Sequence, residues 1–356
     1  LHAGTKLFGA NTYVADGTRI GREGPATVQD CYVGPEVELN GGYFQQATFL
    51  QKASCGLGAH VRQGTILEEH ASVAHTVGLK QTILFPFVTL GSLINFCDCL
   101  MAGGTGPKNH SEVGSSYIHF NFTPNQDKAT PSLIGDVVEG VMLNQSPIFL
   151  GGQGGLVGPL QIAYGTVIAA GSICRKDQLK PGRLVIEGAM PTARMPFNPG
   201  KYQNIKRLLK KNFIYIAQLT ALRHWYARVR SCFIGPALPK ALHEGLVATL
   251  DKAIAERLQQ LEKLRGKIET LGEQRSESQT AFCRMWPQKM AQFADLQRHG
   301  GDKRKIDGFL EAIEASSKEN GPLYIDTIQG LSRSQAELGS QWLQGIVDYV
   351  MSEISK

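Results

Sequence analysis

Aliphatic side chains recur at every sixth position in two separate runs of the chain. These positions are Val61, Leu67, Val73 and Leu79 in the first run, and Leu150, Leu156, Ile162 and Ile168 in the second. A period of six fits neither an α-helix, with about 3.6 residues per turn, nor an ordinary alternating strand. It is typical of hexapeptide repeats, in which each repeat forms one flat face of a prism and the aliphatic side chain points inwards. The pattern therefore predicts an all-β left-handed parallel β-helix.

The β-pattern and the helical pattern occupy different parts of the chain. Glycine and β-forming residues dominate 1–186, which at about eighteen residues per coil predicts roughly eight to ten coils. Breaks in the period predict loop insertions at three places: 101–113, 120–132 and 137–147. Pro191 and Pro196 indicate a linker over 187–200. From there to the end, 201–356 predicts an all-α C-terminal domain.

Two amphipathic stretches stand out in this helical domain. Residues 201–232 alternate a basic side with an apolar one. That pattern suits a solvent-exposed face, or a positively charged rim over the binding site of an anionic ligand. No recognised nucleic-acid-binding motif accompanies it. Ile254, Leu261 and Ile268 lie seven residues apart, and Arg257 weakens the pattern. The spacing leaves two alternatives open, a helical hairpin packed within the chain or a short coiled coil between subunits.

Composition and charge restrict the class of protein. The 356 residues are 42% hydrophobic and 19% charged, as in a soluble globular protein, and no apolar run reaches the ~18–20 residues of a membrane span. No signal peptide is expected. Seven scattered cysteines, without His or Cys clusters at zinc spacing, favour a reducing cytoplasm over a disulfide framework or a metal site. The net charge of +6 suits anionic small ligands such as sugar phosphates, nucleotides or coenzyme A.

Four stretches of the chain resemble a known family. They are RQGTILEEHASVAHTVGLKQ (62–81), GSLINFCDCLM (91–101), YIHFNF leading to LIGD (117–136), and FLGGQGGLVGPLQIAYGTVIAAGSICRKD (149–177). With them, about a third of the chain resembles the acetyltransferase half of the bifunctional UDP-N-acetylglucosamine pyrophosphorylase / glucosamine-1-phosphate acetyltransferases. The resemblance implies a homotrimer, an acetyl- or other acyl-coenzyme A donor, and a sugar-phosphate or nucleotide-sugar acceptor, without a metal. The pyrophosphorylase half has no counterpart in this chain.

The resemblance also implies a substrate cradle. Arg62 and Lys80 fall at the family's phosphate-binding positions, and cationic donors on neighbouring coils suit a phosphate monoester. Asn121, followed by Phe122, corresponds to an Asn-Tyr pair and would bind sugar hydroxyls. Lys128, further along, would meet a phosphate.

The coenzyme A groove of the family corresponds to Gly152, Ala169 and Ala170, whose small side chains would let a pantetheine arm lie close to the backbone. The catalytic position differs from the family. Ser92 stands where the family has its general base, a His that directly follows a Gly, and Asn95 replaces a nearby Tyr while remaining a candidate substrate ligand. The chain therefore matches the family's substrate-binding and catalytic positions only in part.

A serine hydroxyl cannot take a proton from an amine at neutral pH, so another side chain must supply the base. The sequence offers His119 as the candidate base, with Ser92 as a further catalytic candidate. His110, near the predicted loops, and His75, on the coil between Arg62 and Lys80, are further candidates for the base.

Three functions remain open on these grounds. The first is an acyltransferase of the hexapeptide-repeat class that acts on a sugar phosphate or a nucleotide sugar. The second is a catalytically inactive sugar-nucleotide-binding or trimeric scaffold protein, because the family His is missing. The third is the partner subunit of a nucleotidyltransferase whose catalytic domain lies on another chain. No membrane partner is expected, and nucleic acid is disfavoured as a partner.

Overall fold

The computed structural model describes residues 1–121, 128–188, 190–194, 196 and 204–355. Its first part is a solenoid of about ten turns built from short parallel strands. In chain order, the first strands are β1 (Lys6–Phe8), β2 (Tyr13–Val14), β3 (Arg19–Ile20), β4 (Ala26–Gln29), β5 (Tyr32–Val33), β6 (Glu38–Leu39), β7 (Gly42–Gln45), β8 (Ala47–Phe49), β9 (Ser54–Cys55), β10 (Ala59–Val61), β11 (Thr65–Leu67), β12 (Ser72–Val73) and β13 (Gly78–Leu84). The parallel β-helix and the number of coils predicted from the hexads are confirmed.

The strands continue in the same manner to the end of the solenoid. They are β14 (Thr89–Leu90), β15 (Asn95–Met101), β16 (Gly104–Gly106), β17 (Asn109–His110), β18 (Glu112–Val113), β19 (Ile118–Phe120), β20 (Ser132–Ile134), β21 (Phe149–Leu150), β22 (Gly155–Val157), β23 (Gln161–Ile162), β24 (Val167–Ile168), β25 (Ile173–Cys174) and β26 (Leu184–Val185). All pair in parallel except β16 and β17, which form an antiparallel hairpin inside the insertion predicted at 101–113.

The strands form the three faces of a prism. The first face holds β1, β4, β7, β10, β13, β15, β19, β22 and β25; the second holds β2, β5, β8, β11, β13, β15, β20 and β23; the third holds β3, β6, β9, β12, β14, β18, β21, β24 and β26. Because β13 and β15 run around a corner, the first two faces form one fifteen-stranded sheet, and the third is a separate nine-stranded sheet.

The aliphatic hexads fill the interior of this prism. Val61 and Leu79 stack in register on the first face, while Leu67 lies on the second face and Val73 on the third. All four are buried, with at most 4% of the residue surface exposed. Burial of these aliphatic side chains, together with other inward-facing residues such as Phe44 and Cys55, provides the hydrophobic stabilisation of the solenoid.

Helices make up the second part of the described chain. A short helix, α1 (Val137–Gly140), lies within the insertion predicted at 137–147, and the remaining helices are α2 (Ile205–His224), α3 (Lys240–Glu269), α4 (Glu277–Arg298), α5 (Lys303–Asn320), α6 (Tyr324–Gln329) and α7 (Arg333–Ser355). After α2 the chain makes a π-helical turn at Trp225–Val229 and a 3-10 turn at Arg230–Phe233; another 3-10 turn spans Gly272–Gln274. The predicted all-α region is confirmed. Of the predicted linker, residues 189, 195 and 197–200 lie outside the described residues.

Helix α3 packs directly on the second face of the prism, against β5, β8 and β11. Gly245 permits this approach, since a Cβ atom there would lie 2.1 Å from the Tyr32 Cγ atom. The hydroxyl groups of Thr249 and Thr48 form a hydrogen bond across the contact, with 2.8 Å between the two Oγ1 atoms. The heptad residues Ile254 and Ile268 are buried within the chain's own packing, as in the hairpin alternative.

A buried charge cluster also joins the helices to the prism. Arg230, fully buried, forms an ion pair with Glu69, and its guanidinium lies 3.6 Å from the centre of the Tyr324 ring. Tyr226 donates a hydrogen bond of 2.6 Å to the neighbouring carboxylate of Glu68. Removing one partner of a buried ion pair costs about 3–5 kcal/mol. The helical region is therefore joined to the prism by buried contacts whose single loss is costly.

Three chemical features of the described chain bear on function. All seven cysteines are free, and Cys232 is the exposed one. Among the described residues, no group of three His, Cys, Asp or Glu side chains is arranged to hold a metal ion. Within the same part of the chain, none of the helices is both long and apolar enough to span a membrane.

Candidate functional site

Two predicted phosphate ligands are stacked neighbours on the first face. His60 and Val61 pair in register with Gly78 and Leu79, so that the next residues, Arg62 and Lys80, follow each other on successive coils. The Arg62 Nη2 atom lies 3.9 Å from the Cys97 Sγ atom of the coil beyond. The helical region also reaches this end of the face.

The charges at this end of the face converge on one thiol. Burial raises the pKa of Cys97, and the negative charge of Asp98 raises it further. The positive charges of Arg62, Lys80 and Lys128 act in the opposite direction on the same pKa. Three predicted phosphate ligands therefore lie near one thiol, together with the carboxylate of Asp98.

Helix α3 contacts the groups that hold two further predicted substrate ligands, Asn121 and Lys128. Asn121 Nδ2 donates a hydrogen bond of 2.9 Å to one carboxylate oxygen of Asp98. The other oxygen of Asp98 lies 2.8 Å from Arg257 Nη2, and Arg257 Nη1 donates to the Lys128 carbonyl oxygen at 2.9 Å. Sequence reasoning gave Arg257 no site role, although a charged residue that weakens an apolar heptad was a signal. Phe122, the neighbour of Asn121 in the predicted pair, lies outside the described residues.

A groove of about 520 Å³ runs along the middle of the first face. Its floor is Gly78, which pairs with His60 on one side and with Asn95 on the other. Because Gly78 has no side chain, a notch opens between these two neighbours. Arg62 lines the same groove. The structure thus brings Arg62 and Asn95, two predicted substrate ligands, to one cavity.

An exposed histidine and a serine meet where the first and third faces join. Ser92 Oγ lies 2.8 Å from His75 Nδ1, on adjacent coils linked by the hydrogen bond from Leu93 N to His75 O. The next residues along the chain, Thr76 and Leu93, line the groove. His75 Nε2 has no hydrogen-bond partner among the residues described. The serine at the family's base position therefore holds a histidine supplied by the preceding coil.

His119 faces the interior of the prism instead. It is buried, with Nδ1 2.6 Å from the Cys97 carbonyl oxygen and Nε2 2.7 Å from Ser132 Oγ. Since a carbonyl oxygen only accepts, Nδ1 carries the proton and Nε2 accepts from the serine. Burial lowers the pKa of His119 to about 4, so the ring stays neutral. His110 lies on the β16–β17 hairpin, where Nδ1 is 2.8 Å from the Pro107 carbonyl oxygen.

The predicted coenzyme A residues lie along the same corner as His75. We call the stacked residues His75, Ser92, Ser115, Gly152 and Ala170 the His75 corner. Backbone hydrogen bonds of 2.9 Å connect its coils: Ser116 N to Ser92 O, Gln153 N to Ser115 O, and Gly171 N to Gly152 O. Ala169 adjoins Ala170, which is exposed. A Cβ atom on Gly152 would lie 2.7 Å from the Ser115 carbonyl oxygen, so packing alone already requires glycine there.

The chain is similar in sequence to curated proteins over about half of its length. The bifunctional protein GlmU of Thermotoga petrophila is 25% identical over 170 residues, which are 47% of this chain and 34% of that protein. The bifunctional protein GlmU of Thermotoga maritima is 24% identical over the same length and shares. The chain thus spans about a third of the length of these relatives. No protein-family model matches the chain.

Two solved structures match the chain at low sequence identity and low TM-score. The polysialic acid O-acetyltransferase OatWY is 10% identical over 54% of this chain and 92% of that chain, with a TM-score of 0.21. The UDP-N-acetylglucosamine acyltransferase from Campylobacter jejuni is 12% identical over 80% of this chain and 94% of that chain, with a TM-score of 0.21. The hexapeptide repeats, the solenoid and the sequence similarity together identify the chain as a β-helix protein that resembles the left-handed hexapeptide-repeat transferases.

Proposed function

We propose that the protein is an acyltransferase that moves an acyl group from coenzyme A to a phosphorylated sugar or a nucleotide sugar. The observation that carries this proposal is the 2.8 Å contact between Ser92 Oγ and His75 Nδ1 at the end of the groove that Arg62 lines. His75 takes the role of the general base, which an imidazole fills more often than any other side chain. Ser92 takes the role of the group that orients it.

The proton positions follow from this arrangement. For His75 Nε2 to accept a proton, Nδ1 must carry one and donate it to Ser92 Oγ. The acceptor amine or hydroxyl then loses its proton to Nε2 as it attacks the thioester carbonyl carbon. The carbon–sulfur bond breaks, and the coenzyme A thiolate leaves and takes up the proton. His119 has no part in this step, because its two ring nitrogens are engaged inside the prism.

The dimensions of the first face constrain the acceptor. His75 and Lys80 are five residues apart, so their backbones are separated by at most about 16 Å at about 3.3 Å per residue, and by less because the chain turns a corner after His75. Arg62, whose long side chain lines the groove, is the phosphate anchor for a small sugar phosphate. Lys80, stacked beside Arg62 on the adjacent coil and 4.0 Å from Glu256, would bind a second phosphate of a nucleotide sugar.

The His75 corner supplies the donor site in this proposal. Ser115, Gly152 and Ala170 present small groups on successive coils, about 4.8 Å apart, along which a pantetheine arm would lie. Large apolar side chains are exposed at this corner, Leu57 and Leu93, and on the two faces beside it, Ile118, Phe120, Phe149 and Val167. We propose that copies of the chain pack through these faces, as expected for a homotrimer.

The test follows release of the coenzyme A thiol from acetyl-coenzyme A with three acceptors. Glucosamine-1-phosphate and UDP-N-acetylglucosamine carry phosphate, and free glucosamine is the control without it. We expect turnover with a phosphorylated acceptor and a raised KM in Arg62→Gln. The matched control is Arg175→Gln, which removes an exposed cation from the same face far along the solenoid. Absence of turnover together with absence of coenzyme A binding in calorimetry would overturn the proposal.

The second candidate function is a sensor that binds a sugar nucleotide without catalysis. It is favoured by the replacement of the family His with Ser92. Calorimetric binding of UDP-N-acetylglucosamine alone, without coenzyme A binding or thiol release, would support this candidate over the transferase.

A further inference from the structure

The acceptor end of the site depends on one buried residue of the helical region. Arg257, on α3, is 2% exposed. Its two terminal nitrogens reach different parts of the β-helix, 2.8 Å to Asp98 Oδ1 and 2.9 Å to the Lys128 carbonyl oxygen. We propose that Arg257 is a positioning residue for the acceptor, acting through Asn121 and Lys128. This role rests on the proposed function of the site.

Asp98 is the link between Arg257 and the sugar ligand. Its backbone turns the corner between the first and second faces with φ of 61°, a left-handed conformation that Asp tolerates better than most residues. Its carboxylate is 3% exposed and divides its oxygens between Arg257 and Asn121. A buried carboxylate requires a partner of opposite charge. Without Arg257, Asp98 would have to move towards water, and Asn121 would lose its fixed acceptor.

Lys128 depends on Arg257 in a different way. Its side chain is exposed, so the backbone sets the point from which the ammonium group can reach a ligand, and Arg257 donates a hydrogen bond to the backbone carbonyl oxygen. The charge of Arg257 is balanced by Asp98, so it attracts no phosphate itself. Attraction is left to Arg62, Lys80 and Lys128. Arg257 thus makes no contact with the ligand and affects binding through the groups it holds.

The chain contains a matched control for this proposal. Arg230 is also buried, also belongs to the helical region, and also pairs with a carboxylate of the prism, Glu69. It lies next to Tyr324 and contacts none of the predicted substrate ligands. If the helical region served only to stabilise the solenoid, loss of either arginine would affect ligand binding equally.

The experiment compares Arg257→Met with Arg230→Met in the full chain. We expect both variants to unfold at lower temperature. Calorimetric titration with glucosamine-1-phosphate and with UDP-N-acetylglucosamine should show a Kd raised by about tenfold, the loss of one charge-assisted contact, in Arg257→Met alone. The Kd for acetyl-coenzyme A should be unchanged. Equal weakening in both variants, or wild-type Kd in Arg257→Met, would overturn the proposal.

A second measurement separates this proposal from the proposed function. Backbone amide exchange at residues 128–130 and at Asn121 needs no ligand, and should rise in Arg257→Met but not in Arg230→Met. If the wild type binds neither sugar ligand, the proposed function fails, and the exchange still reports whether Arg257 orders these residues. Arg257→Lys serves if the methionine variant does not fold, because it keeps a cation beside Asp98. Arg257→Lys should lose the hydrogen bond to the Lys128 carbonyl oxygen, so amide exchange should increase more at residues 128–130 than at Asn121. Unchanged exchange at both places would contradict the proposal.

Discussion

Replacing His75 with asparagine tests the catalytic pair most directly. The asparagine keeps a polar side chain of similar reach but cannot accept a proton from the acceptor. Positioned general bases contribute about 10²–10⁴-fold to rate, so we expect kcat to fall by that factor. The KM for the phosphorylated acceptor should change little, because Arg62, in the groove, is untouched.

Ser92→Ala should have a much smaller effect, and the ratio between the two variants is the sharper prediction. Ser92 makes one hydrogen bond to an exposed imidazole, and such a bond contributes about 0.5–1.5 kcal/mol. If that whole contribution is lost in the transition state, the rate falls by roughly two- to tenfold. The base remains in place in this variant, only less well oriented.

The assay is thiol release at saturating acetyl-coenzyme A, with His110→Asn as the control. His110 is a histidine on the β16–β17 hairpin that does not line the groove, and its loss should leave kcat unchanged. Wild-type activity in His75→Asn would refute the assignment of the base. A larger loss in Ser92→Ala than in His75→Asn would refute the orienting role and point to a reacting serine.

Three further outcomes follow from buried and crowded positions. Burial raises the pKa of Glu68 to about 7, so the folded state binds this proton more tightly than the unfolded chain does. The protonated carboxyl therefore stabilises the folded state at low pH, and this contribution is lost as the pH rises to about 7. Urea unfolding between pH 5 and 8 should therefore show a flatter pH dependence in Glu68→Gln. Gly245→Ala places a Cβ atom 2.1 Å from Tyr32 Cγ and should lower the free energy of unfolding by about 1–3 kcal/mol, whereas Gly266→Ala on the same helix meets no atom within 4 Å and should stabilise slightly. Ala170→Trp should abolish coenzyme A binding in calorimetry and leave the Kd for the sugar ligand unchanged.

Each of these has a result that would count against it. An equal pH dependence in Glu68→Gln would mean that this carboxyl does not titrate between the folded and unfolded states as described. Equal effects of the two alanines on α3 would mean that the helix does not approach the second face as closely as the structure shows. Retained coenzyme A binding in Ala170→Trp would remove the His75 corner from the donor site.

The parts of the site that repeat with the coil could be predicted from sequence. Arg62 and Lys80 are eighteen residues apart, one full coil, so a correct period places them side by side. His119 could not be placed in this way, because insertions separate it from the regular hexads. It alternates with the exposed Ile118 and Phe120, and this alternation, once the register is known, turns its ring inwards.

The contacts between the helical region and the candidate site could not be predicted from the sequence. Which face α3 covers is decided by close contacts between distant residues, such as that of Gly245 with Tyr32, and no local pattern encodes them. The same holds for Arg257 and Asp98, whose pairing joins residues far apart in the chain. The heptad spacing indicated that α3 is buried on one side, but it could not indicate which part of the molecule this side packs against.

In a triangular prism, the edge between two faces lies opposite the remaining face. The helices cover the second face, so they stand on the far side of the solenoid from His75. Neighbouring copies could then approach along the His75 corner and the parts of the first and third faces beside it without meeting each other's helices. In a ring of copies packed through this corner, the helices would form the outer rim and present a surface of their own to the surroundings, while the edge that carries His75 would be turned towards the axis.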